Sequence, residues 1–224
     1  AYRTDLATDA VVEALIGAAE RGCRAVNYRG CYCGSDLRDV AHRVEVVGRA
    51  LREAAKHQTV FVQSAGKDER LAFWSGAAAL EPRLDNYIVV AACNAKAERP
   101  AWSNYGPDVT VAAPGSRILS AVHRDSPIGK EKDNPPLALM DGTSMAAPFV
   151  TGLCGLIASL NPDLSAAQIK QAVLEGAKVS GKSIQGPDGV SIPIIDARAS
   201  LDWAEKQAAG STSRVTAAAT DVSE

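Results

Sequence analysis

The chain has 224 residues, 46% of them hydrophobic, with 24 Lys and Arg against 26 Asp and Glu and a formal net charge of −2. That length and apolar content suffice to bury one full core, and so small a charge gives no electrostatic reason for nucleic acid or an anionic membrane surface as partner. No apolar run approaches the roughly 20 residues that cross a bilayer; the best, Phe149 to Leu160, contains Gly152 and Gly155 and stops at Asn161-Pro162.

In chain order, the patterning predicts a helix from Asp9 to Glu20 and a strand from Cys23 to Asn27. A helix from Leu37 to His57 follows, in which Val40, Val44, Val47, Leu51 and Ala54 recur with helical period. Next come a strand from Thr59 to Ser64, a long loop, and strands near Tyr87 to Cys93 and Val109 to Ala112. After the polar stretch Arg124 to Pro136, Leu137, Leu139 and Met140 suggest a short strand and Asp141-Gly142 a turn. An apolar stretch with helical spacing then runs from Met145 to Leu160, and a further helix from Ser165 to Ala177. Strands alternating with helices, several of them short continuous apolar runs, imply an α/β fold: a mostly parallel sheet with helices on both faces. Residues 1–207 read as one domain, and 208–224, rich in Ala, Ser and Thr, as a flexible tail or linker.

One serine stands where chemistry is favoured. Ser144 sits between the short strand and the apolar helix, where unpaired backbone N–H groups and the positive end of the helix dipole stabilise developing negative charge. An ordinary N-cap serine is the commoner occupant of such a position. Its surroundings point further: Gly142-Thr143-Ser144-Met145-Ala146-Ala147-Pro148, continued by Phe149-Val150-Thr151-Gly152, resembles the nucleophile motif of subtilisin-like serine proteases. Other segments keep that family's order. Val60-Phe61-Val62-Gln63-Ser64-Ala65-Gly66 resembles the strand and turn that deliver its oxyanion-hole asparagine. Ser103-Asn104-Tyr105-Gly106 and Val109 to Gly115 resemble the paired strand and turn before the nucleophile. Asn161 to Ser165 with Ile169, Ala172 and Val173 is similar to its next helix, and Asp196-Ala197-Arg198-Ala199 to the start of its closing helix. The resemblance runs from Val11 to about Ala204.

It implies a subtilisin-like serine endopeptidase without a cofactor, acting on a protein or peptide through an acyl-enzyme at Ser144. It also implies an oxyanion-hole position at Lys67, and a substrate-binding surface from Arg29, Gly30 and Cys31 on one side and Ser64, Ala65 and Gly66 on the other. The family's catalytic Asp and His motifs, an Asp-(Thr/Ser)-Gly turn and a His-Gly-Thr-His-Val helix start, are absent. The three histidines, His42, His57 and His123, fall where solvated surface residues are expected. The chain therefore reads as the C-terminal part of a catalytic domain whose N-terminal part is missing. The expected partner is a complementary N-terminal segment or chain carrying Asp and His.

Two further departures bear on turnover. Lys67 stands where the asparagine is expected; loss of that donor costs a subtilisin roughly 10²–10³ in rate, and the plainer expectation is that Lys67 points to solvent. Arg29-Gly30-Cys31-Tyr32 replaces a Ser-Leu-Gly-Gly-type segment, narrowing or reshaping the pocket. These departures favour the alternative, a catalytically degenerate module that binds a protein or peptide.

Other hydrolase designs fit less well. Ala146 breaks the Gly-x-Ser-x-Gly elbow of α/β-hydrolases, and no histidine follows Ser144. The helical pattern after Ser144 contradicts a chymotrypsin-like barrel, and a Ser–Lys dyad through Lys67 has no supporting motif. Of the five cysteines, Cys93 and Cys154 read as buried core residues, and Cys23, Cys31 and Cys33 as structural or free thiols. No metal-ligand spacing is present. No signal peptide is visible, and localisation stays open.

Overall fold

The computed structural model describes residues 8–30, 37–72, 84–123 and 136–207, with side chains from residue 10 in the first stretch and from residue 45 in the second. The expected contributions of Cys31, Tyr32 and Cys33, the side chain of His42 and the tail 208–224 lie outside these residues.

Four strands, β1 (Ala25–Tyr28), β2 (Val60–Ser64), β3 (Tyr87–Cys93) and β4 (Val111–Pro114), form one sheet in the order β1-β2-β3-β4. All three pairings are parallel, with Ala25 opposite Val60, Phe61 opposite Tyr87, and Val90 opposite Val111. A parallel sheet is stable when both faces are dry, and the side chains divide accordingly. Phe61, Tyr87, Val89, Ala91 and Ala112 face α1 (Thr8–Glu20) and α2 (Leu37–Lys56). Val60, Val62, Ile88, Val90, Val111 and Ala113 face α3 (Thr143–Leu160) and α4 (Ala166–Ser180). Every residue of β2 and β3 is buried, which is why these strands are continuous apolar runs and do not alternate.

Local signals place the flanking elements. Ser165 caps α4: its hydroxyl accepts from the Gln168 N–H at 3.2 Å and Gln168 Oε1 accepts from the Ser165 N–H at 2.8 Å, satisfying two free donors reciprocally. Gly181, at φ +64°, ends the helix in the left-handed conformation that glycine adopts freely. Asp196 Oδ1 accepts from the Ala199 N–H at 3.0 Å and starts α5, residues 197–207, where a closing helix was expected. Arg24, entering β1, donates to the carbonyls of Gln58, Pro162 and Leu164, tying the sheet edge to the α3–α4 turn.

The fold class and most elements agree with the sequence expectation. Boundaries move by one to three residues, as at β1, β4, the start of α3 and the end of α4. Two antiparallel hairpins were not anticipated: β5 (Ile118–Ala121) with β6 (Leu137–Met140), and β7 (Ser183–Gln185) with β8 (Ser191–Pro193). Only the β6 half had been marked as a strand. The other three are three or four residues long and polar or mixed, too short to carry a period.

Two surfaces stay open among the described residues. β1 pairs only with β2 and is half-buried where β2 and β3 are closed. α3 carries Phe149, Leu156 and Leu160 at 46%, 56% and 43% exposure on the side turned from the sheet. By length and composition α3 suffices to cross a membrane, yet its other side, with Val150, Leu153, Cys154 and Ile157, is packed into the core.

Where α4 meets α5, a Cβ on Gly176 would lie 2.1 Å from Ser200 Oγ and 2.5 Å from Ser200 N. Gly176→Ala should therefore destabilise the fold by about 1–3 kcal/mol, the usual cost of overpacking a close helix crossing, measured as a lower denaturant midpoint in the natively assembled protein.

Candidate functional site

The carboxyl ends of β1, β2 and β4 converge on the N-terminus of α3, the end of an α/β sheet where ligands bind. Ser144 is the second residue of α3 after the cap Gly142. Its backbone N–H belongs to the first turn, where no intrahelical acceptor exists. The hydroxyl donates to the Arg29 carbonyl oxygen at 3.2 Å, its hydrogen-bond partner among the described residues. Ser144 is half-buried and lines a cavity of about 410 Å³ with Arg29, Leu119, Met140, Met145 and Phe149.

The turn presenting Ser144 is held from three sides. The Gly142 N–H donates to the Gly115 carbonyl at 2.9 Å, fixing the turn on the end of β4. A Cβ on Gly115 would meet Ala92 Cβ at 2.6 Å and the Gly142 carbonyl at 2.8 Å, so the approach requires glycine there. Asp141 Oδ1 accepts from the Arg117 N–H at 2.8 Å. Thr143, itself buried, joins the turn to the end of β2: its Oγ1 accepts from the Gly66 N–H at 3.1 Å and donates to the Gly66 carbonyl at 3.2 Å.

The 65–70 loop has no secondary structure of its own and needs another source of order. Asn104, fully buried, supplies it. Its Nδ2 donates to the Ala65 carbonyl at 2.9 Å, and its Oδ1 accepts from the Asp68 and Arg70 N–H groups at 2.9 and 3.2 Å. Sequence reading placed Asn104 in a family segment without assigning it this task. The available signal was an amide side chain in an irregular segment between buried strands, a position that demands several partners at once.

The residues singled out from sequence fall as follows. Ser64 and Ala65 are buried at the end of β2, and Gly66 continues into the loop at φ +105°. Arg29 is exposed at the end of β1, and Gly30 is half-buried beside it. The Gly30 carbonyl accepts from Gln63 Nε2 at 3.4 Å; Gln63 is fully buried and its Oε1 accepts from Tyr87 Oη at 2.5 Å. Lys67 is exposed, as expected, but it does not simply point to solvent. Its ammonium donates to the Asp141 carbonyl at 3.0 Å and lies 5.0 Å from the Trp102 ring centroid. The aromatic face and the carbonyl both attract a cation, and together they hold the side chain across the site. A Ser–Lys dyad has no support here, because the ammonium bonds Asp141 O and the hydroxyl bonds Arg29 O.

Two of the three histidines, His57 and His123, have described side chains. His57 is exposed just before β2, and the site lies at the opposite end of that strand. His123 follows β5, whose pairing sets Ala121 against Leu137 at the end of the hairpin far from the turn and Ile118 against Met140 near it. Among the described residues no group of three or more His, Cys, Asp and Glu is arranged to hold a metal ion.

A serine at a helix N-terminus on the carboxyl edge of a parallel sheet, with a loop from the neighbouring strand across it, is an arrangement that suits a nucleophile on an α/β scaffold. The family model described as the subtilase family matches residues 11–210, so this chain belongs to the subtilase family of serine proteases. An extracellular protease of Xanthomonas campestris pv. campestris is 30% identical over 149 residues, 66% of this chain and 24% of that protein. A thermophilic serine proteinase of Bacillus sp. strain AK1 is 30% identical over 174 residues, 76% of this chain and 37% of that protein. The chain thus spans between a quarter and two fifths of the length of these relatives. Among solved structures, a lanthipeptide protease superposes with a TM-score of 0.68 at 21% identity, covering 87% of this chain and 66% of that one. A cold-adapted subtilisin-like serine proteinase gives 0.64 at 21% identity, covering 85% and 61%. At such identities these likenesses show the fold.

Three of the five cysteines, Cys23, Cys93 and Cys154, lie among the described residues as free thiols. Burial pushes the Cys154 thiol up to about 12 and raises that of Cys93 as well, whereas Cys23 is an exposed free thiol. Iodoacetamide at pH 8 should alkylate Cys23 and spare Cys93 and Cys154 until the protein is unfolded, as read by peptide mass. An acid whose pKa is raised on folding stabilises the native state while it stays neutral, so the Cys154 contribution is complete below the ordinary thiol value of 9.0 and is lost as pH rises toward 12.

Proposed function

We propose that this chain is the nucleophile-bearing part of a serine endopeptidase whose base and orienting carboxylate come from a complementary N-terminal segment or chain. Ser144 Oγ attacks the scissile carbonyl carbon, and its proton passes to an imidazole of that segment. The carbonyl oxygen takes the negative charge and is met by the Ser144 N–H at the head of α3. The intermediate collapses to an acyl-enzyme as the imidazolium protonates the leaving amine. Water, deprotonated by the same imidazole, then releases the acid and restores the serine hydroxyl.

The observation that carries this reading is the placement of Ser144 on the wall of an open cavity, with a first-turn N–H that has no intrahelical acceptor and a hydroxyl bonded, among the described residues, to a backbone carbonyl. That opening is where a base has to enter. The half-buried edge of β1 and the uncharged exposed side of α3 support the same reading, since both are surfaces that a further strand and helix would close. Ser64, Ala65 and Gly66 opposite Arg29 and Gly30 frame the approach of an extended protein or peptide substrate; Cys31 belongs with them by sequence. Lys67 occupies the oxyanion-hole position, and its bond to Asp141 favours a second reading, a degenerate module that binds a peptide without turnover.

Fluorophosphonate labelling of the native preparation, followed by intact mass, separates the two. Adduct on Ser144, abolished by Ser144→Ala, is expected for the peptidase; absence of adduct beside a reacting control protease supports the binding module. The chain expressed alone should turn over about 10⁶-fold more slowly than the assembled enzyme, the loss seen when a subtilisin loses its triad base. It should also be poorly soluble or partly unfolded, and a cooperative melt of the pure chain would contradict that.

A further inference from the structure

The family places an asparagine where this chain has Lys67, and the substitution invites the conclusion that the position is a spoiled oxyanion donor. The geometry points to a different role: we infer that Lys67 is a positioning residue, a cationic brace that holds the turn carrying Ser144. The inference rests on the peptidase reading for its kinetic consequence, but not for its structural content.

The brace has two anchored ends. Lys67 issues from the 65–70 loop, whose backbone Asn104 holds through three hydrogen bonds and whose Gly66 is joined to Thr143 by two. Its ammonium reaches across to the Asp141 carbonyl at 3.0 Å. Asp141 is the residue before the α3 cap, and its carboxylate is already engaged by the Arg117 N–H. The Asp141 carbonyl accepts from the Lys67 ammonium, and a cationic donor makes the stronger bond. Trp102, half-buried and packed against the α3-side core, gives the ammonium a fixed platform at 5.0 Å. Ser103 keeps that platform in register, accepting from the Ala92 N–H at 3.0 Å and donating to the Asn104 carbonyl at 3.1 Å.

The arrangement has a consequence for the nucleophile. The direction of the Asp141–Gly142 peptide sets where the cap Gly142 points the first turn of α3, and with it the Ser144 N–H and hydroxyl. Small displacements of such groups are costly, since about 1 Å of misplacement lowers a rate by about 10². A shorter asparagine does not span to Asp141, and a methionine spans but cannot donate. An arginine does both, since its guanidinium stacks on tryptophan and donates to carbonyls. Lys67 thereby exchanges direct contact with the oxyanion for control of the turn, and the Ser144 N–H remains the donor to the developing charge.

The test compares Lys67→Met, Lys67→Asn and Lys67→Arg in the natively assembled protein, using two readouts. The first is the rate of fluorophosphonate labelling of Ser144. The second is amide hydrogen exchange of the segment 141–147, referenced to α4. The brace predicts that Lys67→Met and Lys67→Asn slow labelling and speed local exchange by about tenfold each, the size of one charge-assisted hydrogen bond, and that Lys67→Arg returns both to within about threefold of the parent. A Lys67→Asn variant that labels as fast as the parent or faster would overturn it, because that is the behaviour of a restored oxyanion donor. So would unchanged exchange in Lys67→Met. If Ser144 of the parent does not label at all, the peptidase reading falls, and the exchange measurement alone decides the brace.

Discussion

A parallel sheet tolerates water on neither face, and the rest of this molecule follows from that constraint. With β2 and β3 closed over their whole length, the chain has to cross over the sheet between strands, and each crossover leaves a loop at the carboxyl edge. Three of those edges, after β1, β2 and β4, meet at the head of α3. The site is therefore built from connections, but connections held to a rigid frame. Asn104, Thr143 and the Gly142–Gly115 bond convert the loop after β2 and the turn before α3 into an extension of the sheet. Their value lies in giving partners to backbone groups of a loop that has no ladder of its own.

The fold class and the position of Ser144 at the head of α3 were legible in the sequence for related reasons. Both depend on local pattern: continuous apolar runs for buried strands, and a small-residue helix after a Gly-Thr-Ser turn. What sequence did not show depends on directions in space. Nothing local says that Lys67 turns back to Asp141 instead of outward, because that direction is set by Trp102, which sits far along the chain. The pairing of Gln63 with Tyr87 and Gly30 is likewise a contact among residues brought together by the register of β1, β2 and β3. The β7–β8 hairpin escaped notice because its strands are three residues each and only Ile184 and Ile192 face inward.

The two halves of the site differ in how complete they are. The side made of the α3 head, the 65–70 loop and the Asp141 turn is tied together by hydrogen bonds. Beside the Ser144 hydroxyl lies the cavity, and the Arg29 carbonyl that accepts from it has no basicity to offer. A backbone carbonyl there stabilises the neutral hydroxyl and so disfavours attack. In the two-part reading, arrival of an imidazole replaces that bond, and activity becomes conditional on assembly without any change in the scaffold.

The outer side of α3 adds a last consequence. Gly152 and Gly155 lie on it with nothing within 4 Å of a Cβ built at either, between Phe149 and Leu156. Glycine inside a helix costs roughly 0.5–1 kcal/mol relative to alanine, and here no described neighbour recovers that cost. Such residues make sense where another backbone comes close, since small side chains let helices approach at the short end of the 8–10 Å range. A helix or strand packed at that distance would offset the cost of both glycines, so this side of α3 is less stable bare than covered.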